Sequence, residues 1–152
     1  MIERVLETRP ATDSDFDFAW RIYLEAVRPM IEPKLNRAWD DADERERFRS
    51  IWQPANAHVI TLDNQPIGWG SANISDDKAV IDHLYIEEQY RGKGYGTKLL
   101  SELLNLWNSQ GKAVHASIIK ENRAISLSHR LGFEQVHEDA LAINVIYNLS
   151  KS

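Results

Sequence analysis

Residues Gln89-Tyr90-Arg91-Gly92-Lys93-Gly94-Tyr95-Gly96-Thr97 decide how the rest of the chain is read. An apolar alternating run, Val80 to Ile86, precedes them, and an apolar-periodic segment, Leu99 to Trp107, follows. That order reads as strand, glycine-rich turn, helix. Glycines at alternate positions leave one side of the turn bare, so backbone N–H groups can crowd around a ligand. The first N–H groups of the following helix lack intrahelical partners and carry the positive end of its dipole. Together these features form an anion site suited to a phosphate or diphosphate. A lone Gly-x-Gly is more often a plain turn. Here the strand-to-helix position and the surrounding Arg91, Lys93 and Lys98 favour the anion site. Two familiar phosphate motifs do not fit. A Walker loop needs Gly-Lys-Ser/Thr, but Lys93 is followed by Gly94. The dinucleotide fingerprint needs a third glycine one residue later than Gly96, and an acid about 20 residues on.

Outward from this turn, the chain alternates strand and helix patterns. Residues 3 to 9 predict a first strand. Asp13 predicts the N-cap of a helix to about Val27, with Phe16, Ala19, Trp20, Tyr23, Ala26 and Val27 near one face. Pro29 and Pro33 are expected to end helical order. A charged segment, Asp43 to Arg49, reads as a second helix carrying Phe48, Ile51 and Trp52 on one side. Its charges fit a solvated face with i, i+4 pairs. His58 to Leu62 and Pro66 to Asn73 form a hairpin about Asp63-Asn64-Gln65. Asp76-Asp77 turns the chain into a strand over 79–87. After the glycine turn, Gly111 stops the helix, 113–119 is a strand, and 122–131 is a short helix stopped by Gly132. Phe133 to Val136 and Leu141 to Tyr147 close the sheet. The pattern predicts a mixed α/β fold.

The chain has 152 residues, a single-domain length that can bury a real core, so one domain over 1–152 is expected. A hydrophobic share of 43% and a charged share of 27% are ordinary for a soluble globular protein. Eighteen Lys and Arg against 23 Asp and Glu give a net charge of −5, which argues against a nucleic-acid binder. There is no cysteine, hence no thiolate nucleophile and no Cys-type zinc site, and no metal is expected. Met1 to Pro10 lacks the apolar centre of a signal peptide, and no apolar run approaches the roughly 20 residues of a membrane span. A cytoplasmic protein without a membrane partner is expected.

The glycine turn resembles motif A of the GNAT superfamily, the acetyl-coenzyme A-dependent N-acetyltransferases. That motif, Gln/Arg-x-x-Gly-x-Gly/Ala, is matched by Gln89, Gly92 and Gly94, after a strand ending Leu84-Tyr85-Ile86. A second block, Asn122-Arg123-Ala124-Ile125 followed by Leu131-Gly132-Phe133, is similar to motif B. The opening Thr8-Arg9-Pro10-Ala11-Thr12-Asp13 is also similar to that of the superfamily. The resemblance implies a mostly antiparallel central sheet with flanking helices. It also implies that the sheet is splayed between its fourth and fifth strands, here 79–87 and 113–119, with coenzyme A in the opening.

Further roles follow from the resemblance. Backbone N–H groups from Arg91, Gly92, Lys93, Gly94, Tyr95, Gly96 and Thr97 would hold the diphosphate of acetyl-coenzyme A. The main chain of Leu84, Tyr85 and Ile86 would pair with the pantetheine arm, and an N–H near Ile86 would polarise the thioester carbonyl. Asn122 is similar to a cofactor-contacting asparagine of motif B. Arg91, Lys93 or Lys98 would meet the 3′-phosphate or simply be solvated. Two positions before the Leu-x-Ile pattern stands Asp82, a common place for the general base. Partial burial beside Val80 and Leu84 would raise its pKa and help it accept a proton. A water relay is the alternative, and His83, on the opposite face of the strand, reads as structural. Where many members carry an acidic tyrosine, five residues before Phe133, this chain has Ser128, whose hydroxyl is the candidate proton donor to the leaving sulfur, directly or through a water, with less reach than a phenol. An acceptor pocket would be shaped by Tyr23, Met30, Pro33, Trp39 and Trp69, although core packing accounts equally for the aromatics.

The activity implied is transfer of an acetyl group to a primary amine by direct attack in a ternary complex. The acceptor is a small molecule or a protein amine, and the short chain favours the former. The alternative is a non-catalytic acyl-coenzyme A-binding sensor or interaction module. Members of the superfamily often form homodimers, and the last strand, Leu141 to Tyr147, is taken as the pairing edge.

Overall fold

The computed structural model describes residues 4–148. Glu3, the first residue expected of the opening strand, lies outside the described residues. In chain order the elements are β1 (Leu6–Pro10), α1 (Phe16–Ile31), α2 (Asp41–Ile51), β2 (Ala57–Leu62), β3 (Gln65–Ile74), β4 (Lys78–Ile86), α3 (Tyr95–Ser109), β5 (Ala113–Ile119), α4 (Ala124–Leu131), β6 (Glu134–Glu138) and β7 (Ala142–Tyr147). The strands form a seven-stranded sheet in the order β1-β2-β3-β4-β5-β7-β6. Pairing is antiparallel except between β4 and β5, which run parallel. The expected mixed, mostly antiparallel α/β sheet is what the chain forms.

The order corrects one expectation. β7 pairs with β5 on one side and β6 on the other, so the last strand is not an edge; β6 is. The β6–β7 hairpin folds back so that the apolar strand, with Ile143 and Val145 buried, takes the inner place. β6, exposed along its whole length and with a register break between Gln135 and His137, takes the rim.

Two compact units make up the chain, one built from residues up to Ser71 together with Leu84–Arg91, the other from Ala72–His83 and the residues from Gly92 onward. In the first, Phe16, Ala19, Trp20 and Ile22 of α1 pack with Phe48 of α2, Val59 of β2 and Trp69 of β3. Phe48 is the one buried residue of an otherwise charged α2, with ring centroids 4.7 Å from Tyr23, 5.6 Å from Phe16 and 5.7 Å from Trp20. α2 starts earlier than predicted because the Asp40 carboxylate accepts from the Asp43 N–H at 3.1 Å. α1 runs past Pro29 to Ile31, where an interruption was expected. Pro29 falls in the last turn, and the Arg28–Glu32 pair at 2.9 Å spans the end.

In the second unit, Leu99, Leu100, Leu104 and Trp107 form the buried stripe of α3. Ala79, Val114, Phe133, Ile143 and Val145 are also buried there. The β4–β5 ladder covers Lys78–Ile81 opposite Ala113–Ala116 and ends, although β4 continues to Ile86 and β5 to Ile119. That is the parting expected between the fourth and fifth strands.

Candidate active site

The glycine turn takes the conformation its sequence demands. Gly92 and Gly94 lie in the left-handed region, with φ of 75° and 86°. A Cβ on either would meet no protein atom within 4 Å. Gly94 is the N-cap of α3; its carbonyl accepts from the Lys98 N–H at 2.9 Å, and no side chain caps the helix. The N–H groups of Tyr95, Gly96 and Thr97 therefore have no acceptor within the helix, and no acidic residue stands in the first turn. Lys93 and Lys98 are exposed beside them. Bare glycines, orphan donors, a helix dipole and two cations together suit an anion. Gly96 differs from the other two in having no positive φ; it already belongs to the helix.

In the other unit, the end of β4 carries an irregularity. Ser75 donates its N–H to the Lys78 carbonyl at 2.9 Å across the hairpin. Stepping that register along the strands would set Ile67 opposite Ile86. Instead the Ile67 carbonyl accepts from the Glu87 N–H at 2.7 Å, so β4 contains one extra residue, a bulge. The Tyr85 ring packs 5.4 Å from Trp69 and 5.8 Å from Tyr23, and burial pushes its phenol far above the usual value. Arg91 is turned back: its Nε donates to the Ile86 carbonyl at 2.7 Å, and its other nitrogen pairs with Glu25 at 3.4 Å.

The catalytic candidates are placed less as expected. Asp82 is exposed rather than half-buried, and its carboxylate accepts from the Asn73 amide. His83 is half-buried, and burial pushes its imidazole below the usual value, with the Asp82 charge opposing. Both follow the last β4–β5 rung directly. Ser128 is 4% exposed, and its hydroxyl donates to the Ile125 carbonyl of its own helix at 2.7 Å. The Asn122 side-chain oxygen accepts from the Ala124 N–H at 2.8 Å, a local Asx turn leading into α4.

The five acceptor candidates all lie in the first unit. Trp69 is only 1% exposed and donates its indole N–H to the Ala19 carbonyl at 3.1 Å, so it belongs to the core. Tyr23 is half-buried against Phe48; burial, then the Glu44 charge, raises its phenol. Trp39 lies before α2, its indole N–H on the Asp41 carboxylate and the Arg28 guanidinium 5.4 Å above its ring. Two residues of α1 escaped the sequence reading. Arg21 pairs with Glu87 at 2.9 Å, and Glu25 accepts from the Glu88 N–H at 2.8 Å. Their spacing, i and i+4 on α1, was the available signal, but both partners lie more than 60 residues away.

The family model of the Acetyltransferase (GNAT) family matches residues 20–133. The chain belongs to that family. Among GNAT relatives, an uncharacterized N-acetyltransferase, YobR, of Bacillus subtilis is 22% identical over 142 residues, covering 89% of this chain and 56% of that one. An uncharacterized protein, YyaT, of the same organism is 24% identical over 94 residues, covering 62% and 63% respectively. The chain thus spans less than two thirds of either relative. An acetyltransferase from Thermus thermophilus superposes with a TM-score of 0.73 at 18% identity, covering 95% of this chain and 97% of that one. The PaiA N-acetyltransferase of Thermoplasma acidophilum, in complex with coenzyme A, superposes with a TM-score of 0.70 at 17% identity, covering 95% and 99%. At these identities the likeness speaks for a shared GNAT fold.

Proposed function

We propose that the protein is an N-acetyltransferase, one domain over 1–152, that moves an acetyl group from acetyl-coenzyme A to the primary amine of a small molecule. The observation that carries this reading is the uncapped start of α3 behind Gly92 and Gly94, whose missing side chains leave open space. A diphosphate there would be met by main-chain donors from 92–97 and by Lys93 or Lys98. The main chain at 84–86 is the proposed seat of the pantetheine arm. One N–H of that segment would polarise the thioester carbonyl.

Acetyl-coenzyme A supplies the activated acetyl group. The amine nitrogen attacks the thioester carbonyl carbon, the C–S bond breaks and the sulfur leaves as thiolate. With no cysteine in the chain, direct attack in a ternary complex is preferred to an acyl-cysteine intermediate. Asp82 is the proposed acceptor of the amine proton, and its exposure lets it pass that proton on to water. Ser128 could donate to the leaving sulfur only by giving up its bond to Ile125. We assign it the role of a neighbour, with water reprotonating the thiolate.

A second reading, an acyl-coenzyme A-binding module without turnover, is favoured by that same engaged Ser128 where an acidic tyrosine is common. Titration calorimetry with acetyl-coenzyme A and a thiol-release assay over a panel of amines separate the two. Binding with turnover on any amine supports the enzyme; binding without turnover supports the sensor; no binding removes both.

A further inference from the structure

We infer that Glu25 of α1 is a positioning residue for the proposed acetyl-coenzyme A loop, acting through Arg91. The inference rests on the cofactor reading above. One Glu25 carboxylate oxygen accepts from the Glu88 N–H at 2.8 Å and from the Arg91 guanidinium at 3.4 Å. The Arg91 Nε in turn donates to the Ile86 carbonyl at 2.7 Å. These bonds close a ring through Ile86, Glu88, Arg91 and Glu25. One turn back on α1, Arg21 holds Glu87 at 2.9 Å, so three residues that follow β4, Glu87, Glu88 and Arg91, are tied to one helix face.

The ring sits where the backbone needs holding. Arg91 is followed by Gly92, and Gly92 and Gly94 both take left-handed conformations that glycine leaves readily. Side-chain exposures of 30% for Glu25 and 43% for Arg91 make this a surface pair of small worth to global stability. Its worth is local. It fixes the residue from which the donors of the loop begin, and a misplaced donor array costs ligand affinity before it costs folding. Arg91 then acts as a strut, with its charge answered by Glu25.

The test compares the whole chain with Glu25→Gln, Glu25→Ala, Arg91→Gln and the double variant Glu25→Ala/Arg91→Gln. Titration calorimetry with acetyl-coenzyme A and with 3′-dephospho-coenzyme A is followed by steady-state kinetics on the best amine. Glu25→Ala is expected to weaken acetyl-coenzyme A about three- to tenfold, with kcat at saturating cosubstrate retained. The double variant is expected to be no worse than the worse single one, because both changes open the same ring. Glu25→Gln keeps the acceptor for Glu88 and is expected to fall between. The preference for coenzyme A over its dephospho form is expected to stay unchanged throughout. Unaltered affinity in both Glu25 variants overturns the inference while leaving the cofactor reading intact. So does a loss of 3′-phosphate preference in Arg91→Gln alone, which would make Arg91 a direct ligand. If the unaltered chain binds no acetyl-coenzyme A, the cofactor reading falls and takes this one with it.

Discussion

A Cβ built on Gly68 would stand 2.1 Å from the carbonyl oxygen of Tyr85. No rotamer relieves that contact, because both groups belong to the backbone. Beside it, the Glu87 N–H donates to the Ile67 carbonyl at 2.7 Å, so β3 and the end of β4 are held close. Gly68→Ala should therefore push β4 away or flatten its bulge. We expect a loss of stability of about 1–3 kcal/mol by urea unfolding, the range for overpacking. Affinity for acetyl-coenzyme A should fall as well. A fully stable Gly68→Ala variant with normal affinity would show that the bulge matters to neither.

Gly94 offers the opposite situation, open space but a demanding backbone. At φ of 86°, a side chain strains the turn by roughly 1–2 kcal/mol, and it intrudes where the diphosphate is proposed to lie. Gly94→Val is expected to abolish detectable acetyl-coenzyme A binding in calorimetry, with a drop in Tm too small to explain it. Retained binding would move the anion site elsewhere.

These two glycines also show what could be read from the sequence. The strand, turn and helix around 80–107 were legible because each signal is local: alternation, bare positions, then a 3.6-residue period. β5 was expected at 113–119 and lies there, bounded by Gly111 and Asn122. Strand order was not legible, since nothing within Leu141 to Tyr147 says which neighbours flank it. The reach of α1 past Pro29 depends on where that proline falls in the last turn. Trp69 was placed at an acceptor pocket because aromatic content looks the same for a pocket and a core; only burial and the bond to Ala19 decide. Glu25 and Arg91 meet across 66 positions, beyond any local pattern.

Asp15 predicts acid sensitivity. Its carboxylate takes two bonds from Arg9, at 2.9 and 3.0 Å, and one from the Thr12 N–H at 2.9 Å. The Arg9 bonds hold its pKa below the usual carboxylate value of 3.8, against a smaller opposing effect of burial. A carboxylate with a depressed folded-state pKa stabilises the fold above its unfolded value. That contribution disappears as pH falls through the folded one. Asp15→Asn should cost about 1–2 kcal/mol at neutral pH, reduced from a fully buried charged bond because Arg9 is half-exposed. It should also flatten the acid limb of the stability curve below pH 3.8. Equal acid limbs in both proteins would remove Asp15 as the cause.

Asp82 and His83 give the last prediction, because neighbouring positions on one strand meet different surroundings. His83 is held below its usual value of 6.5 chiefly by burial, so the unfolded chain binds its proton more readily than the folded one. Stability should fall as pH drops below 6.5, and continue falling until the folded imidazole also protonates. His83→Gln should remove that slope, measured by urea unfolding across the acid range. Asp82 is exposed and is the group proposed to take the amine proton. Asp82→Asn should lower kcat with little change in Tm or in the affinity for acetyl-coenzyme A, and should reshape the pH–rate profile. An unchanged profile in Asp82→Asn, together with a changed one in His83→Gln, would hand the proton to His83. Two unchanged profiles would leave it to water.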